Sequence, residues 1–269
     1  MMSTNTSQSS YKRRSSLQIQ AAAVRALFLR ELQTRFGRYR LGYLWALIEP
    51  AIHVGFMLLL FSGIIGRSVP GISYPVFLVC GILPWFMFTR TATRAIGAVS
   101  ANKGLFNYRP VRPIDAVIAR AGLEGVIYFN VYVVMLGILA WSGENIGLQH
   151  IPLVLLVWVT LWLFSFAFAI LMMILGHFSE ELSKFISVFF RILYLASGVL
   201  YSIHAIPEPY QSYMLWNPVL HGLEQIRHAI SPSYPIHHIS YSYLLLCTIV
   251  MLFLGLLLYK NRERRMMTS

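Results

Sequence analysis

The sequence predicts an all-α membrane protein with six transmembrane helices, and three observations carry that expectation. Of 269 residues, 57% are hydrophobic and 12% charged, about half the charged share of an ordinary soluble domain. Apolar runs recur at lengths near the roughly 20 residues a helix needs to cross the hydrocarbon layer. The basic residues are also placed asymmetrically. With both chain ends on the cytoplasmic side, all of the 22 Lys and Arg except Arg67 and Arg227 fall inside, as the positive-inside rule describes. A net charge of +12 spread this way is a topology signal and not a nucleic-acid footprint.

Residues 1–16, MMSTNTSQSSYKRRSS, are rich in Ser and lack an apolar stretch; they read as a disordered cytoplasmic tail with no cleavable signal. Residues 17–40 read as an amphipathic interface helix in the headgroup plane. Leu17, Ala21, Val24, Phe28, Leu32 and Phe36 face the acyl chains. Glu31 and Arg35 stand at its edge with i,i+4 spacing, either as a solvated pair or as a partner contact.

The remainder, 41–259, carries spans at about 41–65, 74–96, 114–141, 151–175, 185–203 and 242–259. The second is short as an apolar stretch, so its helix is expected to continue through Arg90 and Arg94. Lys184 and Arg191 are counted as inside charges. The outer loops 66–73 and 142–150 are too short for a domain. Residues 204–239 read as an outer re-entrant or interfacial hairpin, two short helices broken by Pro218 and closed by Pro232 and Pro235. Residues 260–269 form a second cytoplasmic tail. Cys80 and Cys247 fall inside spans and read as packing residues.

Several chemistries are excluded by what the chain lacks. It has no Gly-x-x-x-x-Gly-Lys-Ser/Thr loop, so it cannot hold ATP by that device. It has no Gly-x-Ser-x-Gly elbow, no His-Glu-x-x-His and no close carboxylate pair within a span. The eight histidines are scattered without a completing cysteine or carboxylate. No catalytic residue and no metal site is therefore assigned.

Three stretches are more specific: RFGRYRLGYLWALIEP at 35–50, NKGLFNYRPVRPIDAVIAR at 102–120 and LWNPVLHGLEQIRHAI at 215–230. In sequence and order they resemble the inner-membrane permeases of bacterial ATP-binding-cassette exporters of capsular polysaccharide, over nearly the whole chain from Leu17 to Arg265. The first and last are shared with O-antigen and teichoic-acid permeases, which are the neighbouring alternative. GLFNYRPVRPID is the piece that looks particular to capsule permeases.

The resemblance implies a half-transporter in the bacterial inner membrane. Two copies pair with two copies of a separate ATPase subunit, which binds the ATP and Mg, and a lipid-linked anionic polysaccharide leaves between the permeases. Periplasmic and outer-membrane export proteins are further implied partners. Two rivals explain less: an intramembrane transferase on lipid-linked sugars needs an acid/base or metal constellation, and a passive scaffold leaves the stiffened basic loop unexplained.

Within that frame each motif has an expected place. The loop 100–113 is a coupling element against the ATPase, with Asn102, Leu105, Phe106, Tyr108, Arg109 and Arg112, joined by Glu31 and Arg35; its prolines stiffen it and its apolar side chains seat in a groove. Arg38, Arg40, Arg90, Arg94 and Arg120 form a basic mouth for the anionic end of the substrate. Arg120 and Glu124 form an i,i+4 pair, a counterpart to Glu49. Trp45, Glu49 and Trp85 are conduit residues, and Tyr201, Tyr210, Tyr213 and Trp216, with Tyr234, crowd the outer exit, as sugar-stacking rings or as an interface belt. Asn217, His221, Glu224 and Arg227 form a clamp within the hairpin, with Asn217 capping its second helix.

Overall fold

Proline opens most of the helices. The computed structural model describes residues 15–37, 42–61, 69–106, 111–147, 149–179 and 181–268, and every regular element among them is helical. These are α1 (Ser16–Phe36), α2 (Gly42–Phe61), α3 (Tyr74–Ile96), α4 (Pro113–Trp141), α5 (Ile151–Phe178), α6 (Leu182–Ala196), α7 (Glu208–Met214), α8 (Pro218–Ile230) and α9 (Tyr241–Thr268). In α3, α4, α5, α7 and α8 a proline occupies one of the first two positions. There its missing N–H costs no helix bond and its fixed φ favours the first turn. In α1, Ser15 and Gln18 exchange side-chain and backbone hydrogen bonds in a capping box.

Among the described residues five helices, α2, α3, α4, α5 and α9, are long and apolar enough to cross a membrane. The sixth expected run differs: α6 has 15 residues, about 22 Å of helix, short of a hydrocarbon layer of roughly 30 Å. It stops before Gly198, whose φ of 63° lies in the left-handed region that ends helices. The chain then continues buried and non-helical through Leu200. The tail beyond Tyr259 is also not a loose end, because α9 runs on without a break into KNRERRMM.

The core is organised on α3. Val76 to Leu83 are withdrawn from solvent on every side, with α4 and α5 as main neighbours and α2, α6 and α8 completing the ring. α9 packs on α5. α2 leans on this assembly by one edge and leaves Trp45, Ile52, Phe56 and Leu59 exposed, the pattern of a helix facing lipid or another chain.

α1 departs from the expected flat helix. Leu27 and Phe36 are buried and Val24 and Phe28 pack on the core, while Leu17 is 78% exposed. The helix is drawn onto α4 by ion pairs described below. The α7–α8 hairpin likewise does not stay at one end of the bundle. Tyr213, Met214 and Trp216 to Val219 border the same cleft as Phe164, Phe168 and Met251, which lie well inside α5 and α9, so the hairpin tip reaches about half-way down α5.

Candidate functional site

At one end of the bundle, α1, α3 and α4 share charges. Glu31 on α1 accepts from Arg120 Nε on α4 at 2.8 Å, and Glu124 on α4 accepts from Arg35 Nη1 on α1 at 2.6 Å. Arg94 Nε on α3 reaches the same Glu124 oxygen at 2.7 Å, and Arg120 Nη1 donates to the Arg94 carbonyl at 2.6 Å. Neither of the two expected i,i+4 pairs forms. Each helix offers a glutamate and an arginine one turn apart in opposite order, and the partners are exchanged between helices. Arg120 and Glu31 are thereby largely covered, with side chains 13% and 14% exposed, so Arg120 is a strut between helices and not part of an open mouth.

Next to this network lies a cleft of about 540 Å³ lined by Arg35, Arg90, Arg94, Trp45, Glu49 and Phe36. Arg90 donates to Glu49 across the α2–α3 boundary. Trp45, 60% exposed, stands at the rim. Three guanidinium groups thus line one cleft, Arg35 and Arg94 sharing Glu124 and Arg90 held by Glu49, which leaves one positive charge in excess beside an aromatic face. Arg38, Arg40, Tyr108 and Arg109, expected here or in the coupling loop, lie outside the described residues.

The coupling loop is partly turned inward. Its 3-10 turn, Ser100–Leu105, buries Asn102, which donates to the Ala98 carbonyl at 2.8 Å and accepts from Arg30. Phe106 is 8% exposed and belongs to the core, with Leu105 packed behind it. Among the described residues of the loop, Ser100, Ala101, Lys103, Gly104 and Arg112 are the exposed positions. Phe106 and Asn102 therefore set the shape of the turn, and the apolar seat expected of Phe106 in a partner groove is filled by this chain's own bundle. Arg112 leans toward Glu263 of α9 at 3.9 Å.

A second polar centre ties the hairpin to the core. Arg227 is fully buried; its Nη1 donates to Glu224 Oε1 at 2.7 Å and to the Gly198 carbonyl at 2.8 Å, and its Nη2 to the Val199 carbonyl at 2.9 Å. Its Cζ lies 3.5 Å from the centre of the Phe77 ring. Tyr234 donates to the other Glu224 oxygen at 2.6 Å. Burial and then the Glu224 carboxylate push the Tyr234 phenol well above its ordinary pKa, which keeps it a donor. Asn217 caps α8 by accepting from Val219 N at 3.0 Å and reaches Ser197 Oγ at 2.7 Å. His221 Nε2 lies 2.8 Å from the Leu215 carbonyl, and its Nδ1 accepts from Ser240 N at 3.1 Å. The donors are arranged around backbone carbonyls of the break after α6, so this centre holds a non-helical segment in place.

The expected ring of exit aromatics separates into two groups. Tyr234 is inside the Arg227 centre, and Tyr201 is half-buried with its hydroxyl on the Leu195 carbonyl. Tyr210, Tyr213 and Trp216 are 65%, 78% and 80% exposed along the hairpin, with Trp216 at its deep tip. Trp85 is 3% exposed and packs edge-on against Phe190 and Tyr194, a core ring whose edge borders a groove and not a free conduit surface.

Two features were not read from sequence. Glu124 as the shared counter-ion of Arg35 and Arg94 is one; its signal was the pair of reversed Glu/Arg spacings at 31/35 and 120/124. The other is Arg191. It was counted with the inside charges and stood within the expected span 185–203; it occupies the tenth position of α6 and is exposed there.

Apolar helices of spanning length, held together by charged and hydrogen-bonded centres between them, define a polytopic membrane protein whose polar side chains face its own interior and clefts. The chain belongs to the ABC-2 type transporter family, whose model matches residues 22–231. It is 43% identical over 256 residues to the polysialic acid transport protein KpsM of Escherichia coli, covering 95% of this chain and 99% of that one. It is 30% identical over 244 residues to the capsule polysaccharide export inner-membrane protein CtrC of Neisseria meningitidis, covering 90% and 91%. Similarity to the O-antigen export system permease protein RfbA of Klebsiella pneumoniae is 26% over 194 residues, covering 71% and 73%.

Proposed function

We propose that the chain is the membrane subunit of an ATP-driven exporter that moves lipid-linked capsular polysaccharide across the bacterial inner membrane. The observation that carries this is the end-to-end likeness to capsule-export proteins, stronger and longer than the likeness to the O-antigen permease. The arginine cleft supports it, since a glycan on a phospholipid-like anchor arrives with its negative charge at headgroup depth. ATP hydrolysis belongs to a separate subunit, consistent with a sequence that has no phosphate-binding loop.

In this reading the protein works as a homodimer, with both termini cytoplasmic. Residues 1–16 and 260–269 flank an interface helix at 17–40 and a permease domain at 41–259. α6 and the buried segment after it together make the sixth crossing. The α7–α8 hairpin enters from the outer side and turns back, a geometry tolerated because its backbone is satisfied by protein. Loop 100–113 meets the ATPase through its exposed basic positions, and periplasmic export proteins take over the chain.

The test is complementation of a capsule-export strain deleted for its own permease. Wild-type protein is expected to restore surface glycan. Arg90→Gln, which leaves the buried Glu124 both of its arginines, is expected to lose most of it at unchanged protein abundance, because glutamine fits the cleft without attracting an anion. Failure of wild-type protein to restore export in the presence of its ATPase would overturn the proposal.

A further inference from the structure

Arg191 has no ion-pair partner among the described residues. It is not near a helix end where its charge would meet headgroups. α6 packs on α3 through Phe190 against Trp85 and Phe88, and through Tyr194 against Trp85. These are central positions of the 23-residue α3. A guanidinium exposed at that depth is tolerated in a membrane only beside water or an opposite charge.

Its surroundings are mostly aromatic, with Trp85, Phe86 and Phe190 in the lining, but polar groups are set among these rings. Arg191 lines an open groove of about 660 Å³ between α2, α3 and α6, together with His53, Thr89, Thr93, Ser187 and Tyr194. His53 Nε2 lies 3.3 Å from the Tyr194 hydroxyl, and the His53 ring meets Phe86 edge-on at 5.0 Å. The rest of the outward face of α6, with Phe185, Val188 and Ile192, is apolar. Hydroxyl and imidazole groups therefore gather on one outward strip of helices that are otherwise greasy. The strip is continuous with the arginine cleft, because Arg90 lines both.

We infer that the α2–α3–α6 groove is one wall of the glycan's path and that Arg191 contacts the carboxylate or phosphate groups of an acidic sugar chain passing along it. This rests on the export reading above and adds its charge selectivity. Arg94, Arg90 and Arg191 then form a series of cations leading from the headgroup-level cleft to mid-depth. The hydroxyls of Thr89, Thr93 and Tyr194 and the imidazole of His53 serve sugar hydroxyls between them. Lipid tails would leave Arg191 desolvated and unpaired, and so would an apolar face of a second copy. An anionic glycan in a wet groove does not.

Two measurements test this in the complementation strain, with an acidic capsule as cargo. At equal abundance, Arg191→Gln is expected to lower surface glycan by roughly fivefold or more, the effect of losing about one favourable charge contact, and Arg191→Lys to stay near wild type. Wild-type export by the Gln variant, or an equal defect in the Lys variant, overturns the inference. In a chain with Cys80→Ala and Cys247→Ala, Ser187→Cys is expected to react with a charged methanethiosulfonate while Val188→Cys does not. An unreactive Ser187→Cys means a lipid-facing or dry second-copy contact and overturns it as well. If the wild-type protein itself exports nothing, it is the exporter reading that fails; thiol labelling still reports on the groove.

Discussion

Arg227 Nη1 meets Glu224 Oε1 at 2.7 Å with both side chains fully withdrawn from solvent. The pair sits one turn apart on α8, but each partner also binds elsewhere: Arg227 holds two carbonyls of the break after α6, and Glu224 holds Tyr234. Removing one partner of a buried pair costs about 3 to 5 kcal/mol, because the other charge is stranded. Arg227→Met is expected to lose most folded protein. Glu224→Gln is expected to be milder, since Arg227 keeps its carbonyls and its Phe77 ring face. Adding Glu224→Gln to Arg227→Met should recover part of the loss by removing the stranded carboxylate. Thermal unfolding in detergent of the four proteins measures this, and a double variant no better than Arg227→Met alone contradicts it.

The same centre explains a glycine on another helix. A Cβ placed on Gly81 would lie 2.4 Å from Arg227 Nη2 and 2.8 Å from the Val199 carbonyl oxygen. The second atom is backbone and cannot swing away. Gly81→Ala is expected to lower stability by about 1 to 3 kcal/mol, the usual cost of overpacking, although alanine favours helix by roughly 1 kcal/mol elsewhere. Gly137→Ala on α4, where a Cβ meets nothing within 4 Å, is expected to be neutral or stabilising. Equal melting temperatures for the two variants would remove the steric argument.

The exchanged pairs between α1 and α4 predict a charge-swap signature. Glu31→Arg sets two guanidinium groups against each other at Arg120 and should release α1 from α4. The double variant Glu31→Arg with Arg120→Glu restores the pair in reverse. The single change is expected to cost about 1 kcal/mol or more, given that these side chains are mostly but not fully covered. Limited proteolysis within residues 16–36 reports it: cleavage should rise in the single variant and return toward wild type in the double. Cleavage that does not rise in the single variant would show that α1 is held by its apolar contacts alone, and cleavage that persists in the double variant would contradict the exchanged pair.

Local signals made the long helices legible. Pro75 and Gly97 bracket α3, and the expected 74–96 coincides with Tyr74–Ile96. Asn217 and Pro218 announce the start of α8 in the same way. What failed were features set by distant partners. The 185–203 run looks continuous in hydropathy, and nothing local marks Gly198 as left-handed until Arg227, 29 residues on, binds its carbonyl. The two reversed Glu/Arg spacings were visible, but choosing between pairing within a helix and pairing across helices needs the α1–α4 contact, 89 residues apart in sequence. Arg191 stood within the expected span 185–203, but charge counting does not say which face of a helix carries it. Phe106 was read as a surface anchor because an apolar ring in a basic loop does not disclose whether the bundle or a partner covers it.

The hairpin tip supplies the last prediction. Tyr213 and Trp216 are exposed beside Phe88, Phe164 and Phe168, residues from the middle of α3 and α5. Trp216 is fixed through its backbone, since Tyr243 Oη donates to its carbonyl at 2.9 Å, so its ring can be changed without loosening the turn. If the two rings present flat faces to sugar, Tyr213→Leu with Trp216→Leu keeps apolar bulk but removes the stacking surface, and export should fall several-fold at equal abundance. Tyr213→Phe with Trp216→Phe keeps the faces and should export near the wild-type level. The alternative occupant is the matching hairpin of a second copy, and there leucine and phenylalanine would both fill the contact. Surface glycan and protein abundance measured together decide between these roles: equal export from the leucine and phenylalanine pairs assigns the rings to packing, and a defect confined to leucine assigns them to the cargo.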